Sequence, residues 1–441
     1  MSVNETHDPR LRSWVASAND ETCDFPIQNL PHGVFRRLGT SEAFRGGVAI
    51  GDQILDLPAA VDRGAFRGAA RAVAAAAAAP ALNGLMTMGA SAWRELRAEL
   101  SRQLRAGSES AGLLAMCLVP QAEAEHAVPA VIGDYTDYLA SWHHMVNAGR
   151  IFRPDAPPLP QFRRSPIAYH GRSSSVEVSG ATFPRPWGQI AAGDASGPQF
   201  APTRCLDYEL EIAFWVGPGN RRGEPVRVAD AEQHIFGVSL LNDWSARDIQ
   251  AYESTPLGPF LGKNFLSTIS PWVVTLEALE PFRCALPRQP DDPPPAPNLA
   301  CADLRLGFDL QLEAWIETTR NVSPARLSRS SFRHCYWSMA QMLAHHAEGG
   351  CNLRPGDLIG TGTQSGPGDA EQGCLLELSL AGRRPVPMPS GDTRSFLHDG
   401  DTIALRAWGA RDGAARVGFG NCRGTVLPAI DFPLERSPAA G

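Results

Sequence analysis

Residues 206–216 read Leu-Asp-Tyr-Glu-Leu-Glu-Ile-Ala-Phe-Trp-Val and alternate as a half-buried β-strand does. Leu210, Ile212, Phe214 and Val216 fall on one face, and Glu209 and Glu211 share the other. Two carboxylates side by side repel unless a cation lies between them, and burial sharpens the conflict. An oxygen-ligated divalent cation would resolve it, and so would plain exposure of that face to water. Similar short apolar runs recur at Phe236 to Asn242, Trp272 to Leu276, Leu304 to Ile316, Leu375 to Leu380 and Thr402 to Trp408. They do not alternate regularly with helices, which argues against a doubly wound parallel sheet and for an α+β or mainly β architecture.

Toward the N-terminus the pattern changes. Gly47 to Ala59 reads as a hairpin turning at Gly51-Asp52, and the Ala-rich stretch Ala69 to Ala79 as a helix ended by Pro80. Trp93 to Leu104 is an amphipathic helix. Val119-Pro120 and Val128-Pro129 bracket a short acidic linker, which divides the chain into 1–125 and 126–441. The Pro-rich run Gln289 to Asn298 reads as a surface excursion and Ser331 to His346 as one helix among the later strands.

With 441 residues, 43% hydrophobic, the chain has ample material for more than one packed unit. A net charge of -7 without a basic stripe speaks against nucleic acid as a partner. No apolar run approaches the roughly 20 residues of a membrane helix, and the first residues lack the pattern of a secretory signal. Nine scattered cysteines without a Cys-x-x-Cys predict reduced thiols in a cytoplasmic protein.

Four segments offer converging polar groups. In Gly133 to Phe152, Thr136 reads as an N-cap and Gly149 as a stop, so Asp137 and His144, two turns apart, would share one helical face. That arrangement suits a metal ligand beside a general base, or an ordinary core or surface pairing. The Glu209/Glu211 strand is the second. In the third, Asp243 follows an apolar strand directly, and a Gly/Pro-rich loop precedes Lys263. The fourth holds the loop Gly-Thr-Gly-Thr-Gln-Ser-Gly-Pro-Gly (360–368) and Glu377 inside Leu375-Leu-Glu-Leu378, which reads as a strand. There Glu377 needs a partner such as histidine, unless it faces solvent. A Gly-x-Ser-x-Gly elbow, a P-loop and a His-Glu-x-x-His motif are absent, Gly217-Pro218-Gly219 reads as a turn, and His345-His346 read as packing residues. Oxygen ligands, a histidine and cationic helpers remain, a set suited to metal-assisted hydrolysis without a serine nucleophile.

Along nearly its whole length the chain resembles the fumarylacetoacetase family of tyrosine breakdown. The resemblance rests on Asp24-Phe-Pro-Ile-Gln-Asn-Leu-Pro-His-Gly-Val-Phe35, Asp134-Tyr-Thr-Asp137, Tyr169-His-Gly-Arg172 and Asn242-Asp-Trp-Ser-Ala-Arg-Asp-Ile-Gln250. Pro256 to Lys263, Cys351-Asn-Leu-Arg-Pro-Gly-Asp357, Phe396-Leu-His-Asp-Gly-Asp401 and Val417 to Pro428 extend it. It implies an N-terminal SH3-like β-barrel, a C-terminal mixed β-roll and a homodimer built through the C-terminal part. It also implies Ca2+ or Mg2+ on Asp137, Glu209, Glu211 and Asp243, and a second cation position at Asp243, Lys263 and Ser267. His144 would match the general base and Glu377 the carboxylate orienting it. Arg153, Gln250 and Lys263 would polarise substrate oxygens, while Tyr169 and Thr363 would contact substrate. Leu139 and Ser254 stand where the family usually has substrate-contacting tyrosines. The implied reaction is metal-dependent cleavage of a β-diketone's carbon–carbon bond, giving fumarate and acetoacetate. Hydrolysis of a related acylpyruvate or other diketo acid, and a non-catalytic binding role, are the other readings.

Overall fold

Strand Leu210–Val216 lies at the centre of a large mixed sheet. The computed structural model describes residues 2–191, 197–288, 291–303, 305–320 and 323–432. On one side the central strand pairs antiparallel with Ile235–Asn242, and on the other with Leu358–Gly360. Leu358–Gly360 runs parallel to Tyr135–Leu139, which pairs antiparallel with Ile167–Gly171. In the opposite direction the path runs through Trp272–Thr275 into the N-terminal strands His32–Arg37, Arg45–Ile50, Gln53–Asp56 and Leu118–Pro120. A second sheet of five strands, among them Gln311–Glu317, Thr402–Gly409 and Val417–Leu427, contributes to the same core.

The central strand is buried along both faces, not one. Leu210, Ile212, Phe214 and Val216 enter the main core, while Ala213 and Trp215 enter a second core built with the N-terminal helices. Each large apolar side chain so buried contributes about 1.5–3 kcal/mol, so a one-residue slip in register would forfeit several of them at once. The expected strand is also shorter: Leu206–Asp207 pairs separately with Ser245–Ala246, and Glu209 stands between the two pieces.

The hairpin and both N-terminal helices form as expected, the helices as Gly68–Ala77 and Ala90–Leu104. Three further expectations fail. Gly133 to Phe152 is not one helix: Tyr135–Leu139 is a strand and the helix is Trp142–Phe152, capped by Ser141, whose Oγ accepts from the His144 N–H at 3.3 Å. The aromatic and β-branched residues at 135, 136 and 138 suit a strand, and parallel pairing with Leu358–Gly360 captures them. Leu375–Leu378 is a short helix rather than a strand. The late helix is Met339–Ala347, because Ser338 and Gln341 make a capping box and Ala325–Ser331 belongs to a strand. Of the expected strand Leu304 to Ile316, residue 304 lies outside the described residues, and strand is found at Gly307–Phe308 and Gln311–Glu317. The Pro-rich excursion is described from 291 onward and is loop.

Candidate functional site

Four carboxylates converge at the ends of the central strands. Asp137 comes from Tyr135–Leu139, Glu209 precedes the central strand, Glu211 lies within it, and Asp243 follows Ile235–Asn242. All four are buried, and each offers an oxygen within 4.8 Å of the others. Burial, and then the charge of Asp243, raises the Asp137 carboxyl well above its usual range; burial and Asp137 do the same to Glu211. Oε1 of Glu211 is buried without a hydrogen-bond partner among the described residues. A hard divalent cation fits this donor set, because it neutralises the crowded charge and gives the orphaned oxygen a partner.

The loop after Leu358–Gly360 closes one side of the cage. The Gly362 N–H donates to Asp137 Oδ1 at 3.2 Å and to Glu211 Oε2 at 3.0 Å. Only glycine serves there: its φ is +75°, and a β-carbon would stand 2.1 Å from the Tyr138 carbonyl oxygen.

Cationic and neutral donors hold the other side. Lys263 Nζ donates to Glu209 Oε2 at 2.6 Å, to Asp243 Oδ2 at 2.7 Å and to the Asp243 carbonyl at 3.2 Å. Tyr169 and Ser267 donate to the two oxygens of Asp243, at 2.6 and 2.7 Å. Arg247 Nη1 donates to Glu209 Oε1 at 2.7 Å, and its Nε to Asp207 Oδ2 at 3.0 Å. Burial pushes the Glu209 carboxyl up, but Lys263 and Arg247 together overcome it and hold the group below its usual range.

Beside the cage stands a histidine–glutamate pair. His144, in the first turn of its helix, lies with Nδ1 2.7 Å from Glu377 Oε2. Ser365 Oγ and Cys374 Sγ donate to the same oxygen at 2.8 and 3.2 Å, and Asn147 donates to Oε1 at 2.9 Å. Burial raises the Glu377 carboxyl, yet His144 and these donors more than compensate, so its position is lowered. An ionised Glu377 accepts hydrogen bonds and donates none, so Nδ1 carries the proton and Nε2 is left as a base. Loop residues 361–365 touch both centres, through Gly362 on the cage and Ser365 on Glu377.

The remaining candidates occupy different settings. Gln250 is half-buried, with Oε1 3.4 Å from Arg247 Nη1. Thr363 is buried with its hydroxyl unpartnered among the described residues. Leu139 is half-buried against the main core, and Ser254 caps the helix Arg247–Glu253 with its hydroxyl on the Gln250 carbonyl at 2.5 Å. Arg153 is exposed at the end of the His144 helix. Arg247, Asp207, Asn147, Ser365 and Cys374 carry no mark of a role in the sequence alone. Arg247 lies inside a quoted motif, Asn242 to Gln250, but nothing in that segment signals its burial. Its Nη2 lies 3.0 Å from Asp207 Oδ2 yet makes no hydrogen bond of good geometry.

Residues 134–427 match the family described as fumarylacetoacetate (FAA) hydrolase C-terminal, and residues 28–129 the one described as fumarylacetoacetase N-terminal. The chain is 47% identical over 427 residues to a fumarylacetoacetase of Oryza sativa subsp. japonica, spanning 95% of this chain and 98% of the relative. It is 46% identical over 426 residues to that of Bos taurus, spanning 95% and 100%. Against that of Homo sapiens the identity is 45% over 424 residues, spanning 95% and 99%.

Proposed function

The chain belongs to the fumarylacetoacetase family, and on that premise we propose that it hydrolyses fumarylacetoacetate to fumarate and acetoacetate, a step of tyrosine and phenylalanine breakdown. The observation that carries the reading is the buried four-carboxylate cage linked by one loop to a histidine–glutamate pair. Asp137, Glu209, Glu211 and Asp243 would hold the cation, Ca2+ or Mg2+, since the ligands are all hard oxygens. When bound, that ion supplies Lewis-acid stabilisation of negative charge on the diketone oxygens. Lys263, with Ser267 beside it on Asp243, already supplies a positive charge at the second cation position.

His144 takes a proton from water at Nε2, while Glu377 holds Nδ1–H and thereby the tautomer. The water oxygen bonds to the carbonyl carbon of the fumaryl group. The bond from that carbon to the central methylene then breaks, and its electron pair leaves as the enolate of acetoacetate. The proton held at Nε2 returns to that methylene carbon, giving acetoacetate, and fumarate carries the added oxygen. Lys263 spends its protons on Glu209 and Asp243, so its effect on a developing oxyanion is electrostatic. Gln250, half-buried with its Oε1 beside Arg247, offers its amide NH2 as a hydrogen-bond donor to it. Tyr169, Thr363, Arg153, Leu139 and Ser254 are carried as substrate-contact positions on the family resemblance.

All of these residues lie within 126–441, taken as the catalytic part. The nine cysteines are all free, which supports a reducing, cytoplasmic setting. Among the described residues no helix is long and apolar enough to cross a membrane. A homodimer is carried from the family resemblance and is read by sedimentation. The functional test is turnover of fumarylacetoacetate by purified protein, with and without a chelator, beside His144→Ala. Loss of activity in both arms is expected; turnover that survives both would sink the mechanism.

A further inference from the structure

Asp207 is fully buried and belongs to neither the cage nor the histidine–glutamate pair, yet it touches the supports of both. Its Oδ1 accepts from the Leu375 N–H at 2.8 Å and from the Tyr208 N–H at 2.9 Å. Its Oδ2 accepts from the Leu376 N–H at 2.9 Å and from Arg247 Nε at 3.0 Å. Leu375 and Leu376 open the four-residue helix that carries Glu377. A single turn fixes several backbone dihedrals for one or two hydrogen bonds and does not hold itself. Cys374, at its N-cap, makes no side-chain capping bond, so the first two amides of the turn are satisfied by Asp207 from 168 and 169 residues away in sequence.

On its other side Asp207 shares Arg247 with Glu209. The guanidinium reaches Asp207 through Nε and Glu209 through Nη1, and all three groups are buried. A contiguous line of polar contacts therefore runs from the cage to the base: Glu209, Arg247, Asp207, the Leu375 and Leu376 amides, Glu377 and His144. In so dry a setting a change of charge at one end is poorly screened at the next.

We propose that Asp207 is a positioning residue that ties the metal-binding Glu209 to the turn bearing Glu377, so that filling the cage tightens the catalytic base. This rests on the reading of the carboxylate cage as a divalent-cation site. With the cage filled, Glu209 engages the cation and Arg247 binds Asp207 more firmly, which fixes the Asp207 carboxylate in place beneath the two amides. The coupling is reciprocal. Without the Asp207 charge, Arg247 neutralises Glu209 alone, and Glu209 becomes a poorer ligand.

The test uses the full chain and Ca2+ itself. In the wild type, Ca2+ should slow amide hydrogen exchange at Leu375 and Leu376. In Asp207→Asn, which keeps the side-chain volume, calorimetry should find Ca2+ bound about tenfold more weakly, the low end for a residue supporting a metal ligand. Exchange at the two amides should no longer respond to the ion. Ca2+ affinity within twofold of the wild type would overturn the proposal, as would unchanged wild-type exchange on Ca2+ addition. Should the variant not fold, the wild-type exchange decides alone. Turnover of fumarylacetoacetate by the wild type is scored separately: hydrolysis without coupling defeats this inference only, and coupling without hydrolysis defeats only the assigned reaction.

Discussion

Gly360 lies opposite Asp137 in parallel register, and a β-carbon at Gly360 would stand 2.3 Å from Asp137 Oδ1 and 2.9 Å from Leu241 Cδ2. Neither neighbour has room to retreat, since Asp137 is buried among three other carboxylates and Leu241 lies in the second core. Gly360→Ala should therefore push Asp137 out of the cage. Overpacking of this kind costs about 1–3 kcal/mol of stability. The sharper readout is divalent-ion affinity, expected to fall about 10–100-fold, as when a metal ligand loses its support. Calorimetric titration of the folded variant checks it, and an unchanged affinity would count against Asp137 as a ligand.

Chelation should matter more as pH rises. Burial and mutual charge raise the folded-state carboxyls of Asp137 and Glu211, whereas in the unfolded chain they titrate near about 4. The metal-free fold keeps protons there that the unfolded chain has lost, so unfolding releases protons and these groups lower metal-free stability as pH rises through that window. A cation needs both groups ionised and competes with the same protons. The gap in Tm between the Ca2+-loaded and chelated protein should accordingly be wider at about pH 8 than at about pH 5.5. Scanning calorimetry at the two pH values measures it, and a gap that narrows toward high pH contradicts the site.

Glu377→Gln separates the base from the cage. The amide keeps the shape but loses the charge that requires Nδ1 to carry the proton, and its NH2 group can turn toward His144 and invert the tautomer. By analogy with other buried carboxylate–histidine pairs, kcat should fall by about 10²–10⁴. Ca2+ affinity should stay within a few-fold, because Glu377 is not among the four cage carboxylates. A large loss of ion affinity in a folded Glu377→Gln protein would show that the two centres are not chemically distinct.

What could be read from the chain alone follows from how local each signal is. Glu209 and Glu211 betray themselves by alternation within a few residues, and Asp243 by its place after an apolar strand. The central strand's second buried face was not legible, because Ala213 and Trp215 are covered by helices more than a hundred residues earlier. Asp137 reads as helical because Thr136 imitates an N-cap; the actual cap, Ser141, lies five residues on. Glu377 reads as part of a strand from Leu-Leu-Glu-Leu, whereas it lies in a helical turn whose opening amides are held by the distant Asp207. Arg247 carries no local mark of burial, since its partners Asp207 and Glu209 come from a different strand region.

Cys374 and Cys351 should differ sharply toward thiol reagents. Cys374 is fully buried, and burial, then the charges of Glu377 and Asp207, push its thiol well above the usual range. Alkylation requires the thiolate and access to it, so Cys374, committed as a donor to Glu377 at 3.2 Å, is unreactive on both grounds. Cys351 is exposed in a loop. Brief treatment of the folded enzyme with iodoacetamide should modify Cys351 and leave Cys374 intact, with activity retained, as read by peptide mass spectrometry beside the hydrolysis assay. Rapid labelling of Cys374 with loss of turnover would mean that the histidine–glutamate pair is open to solvent, and the donor cage around Glu377 would no longer explain how that carboxylate stays ionised.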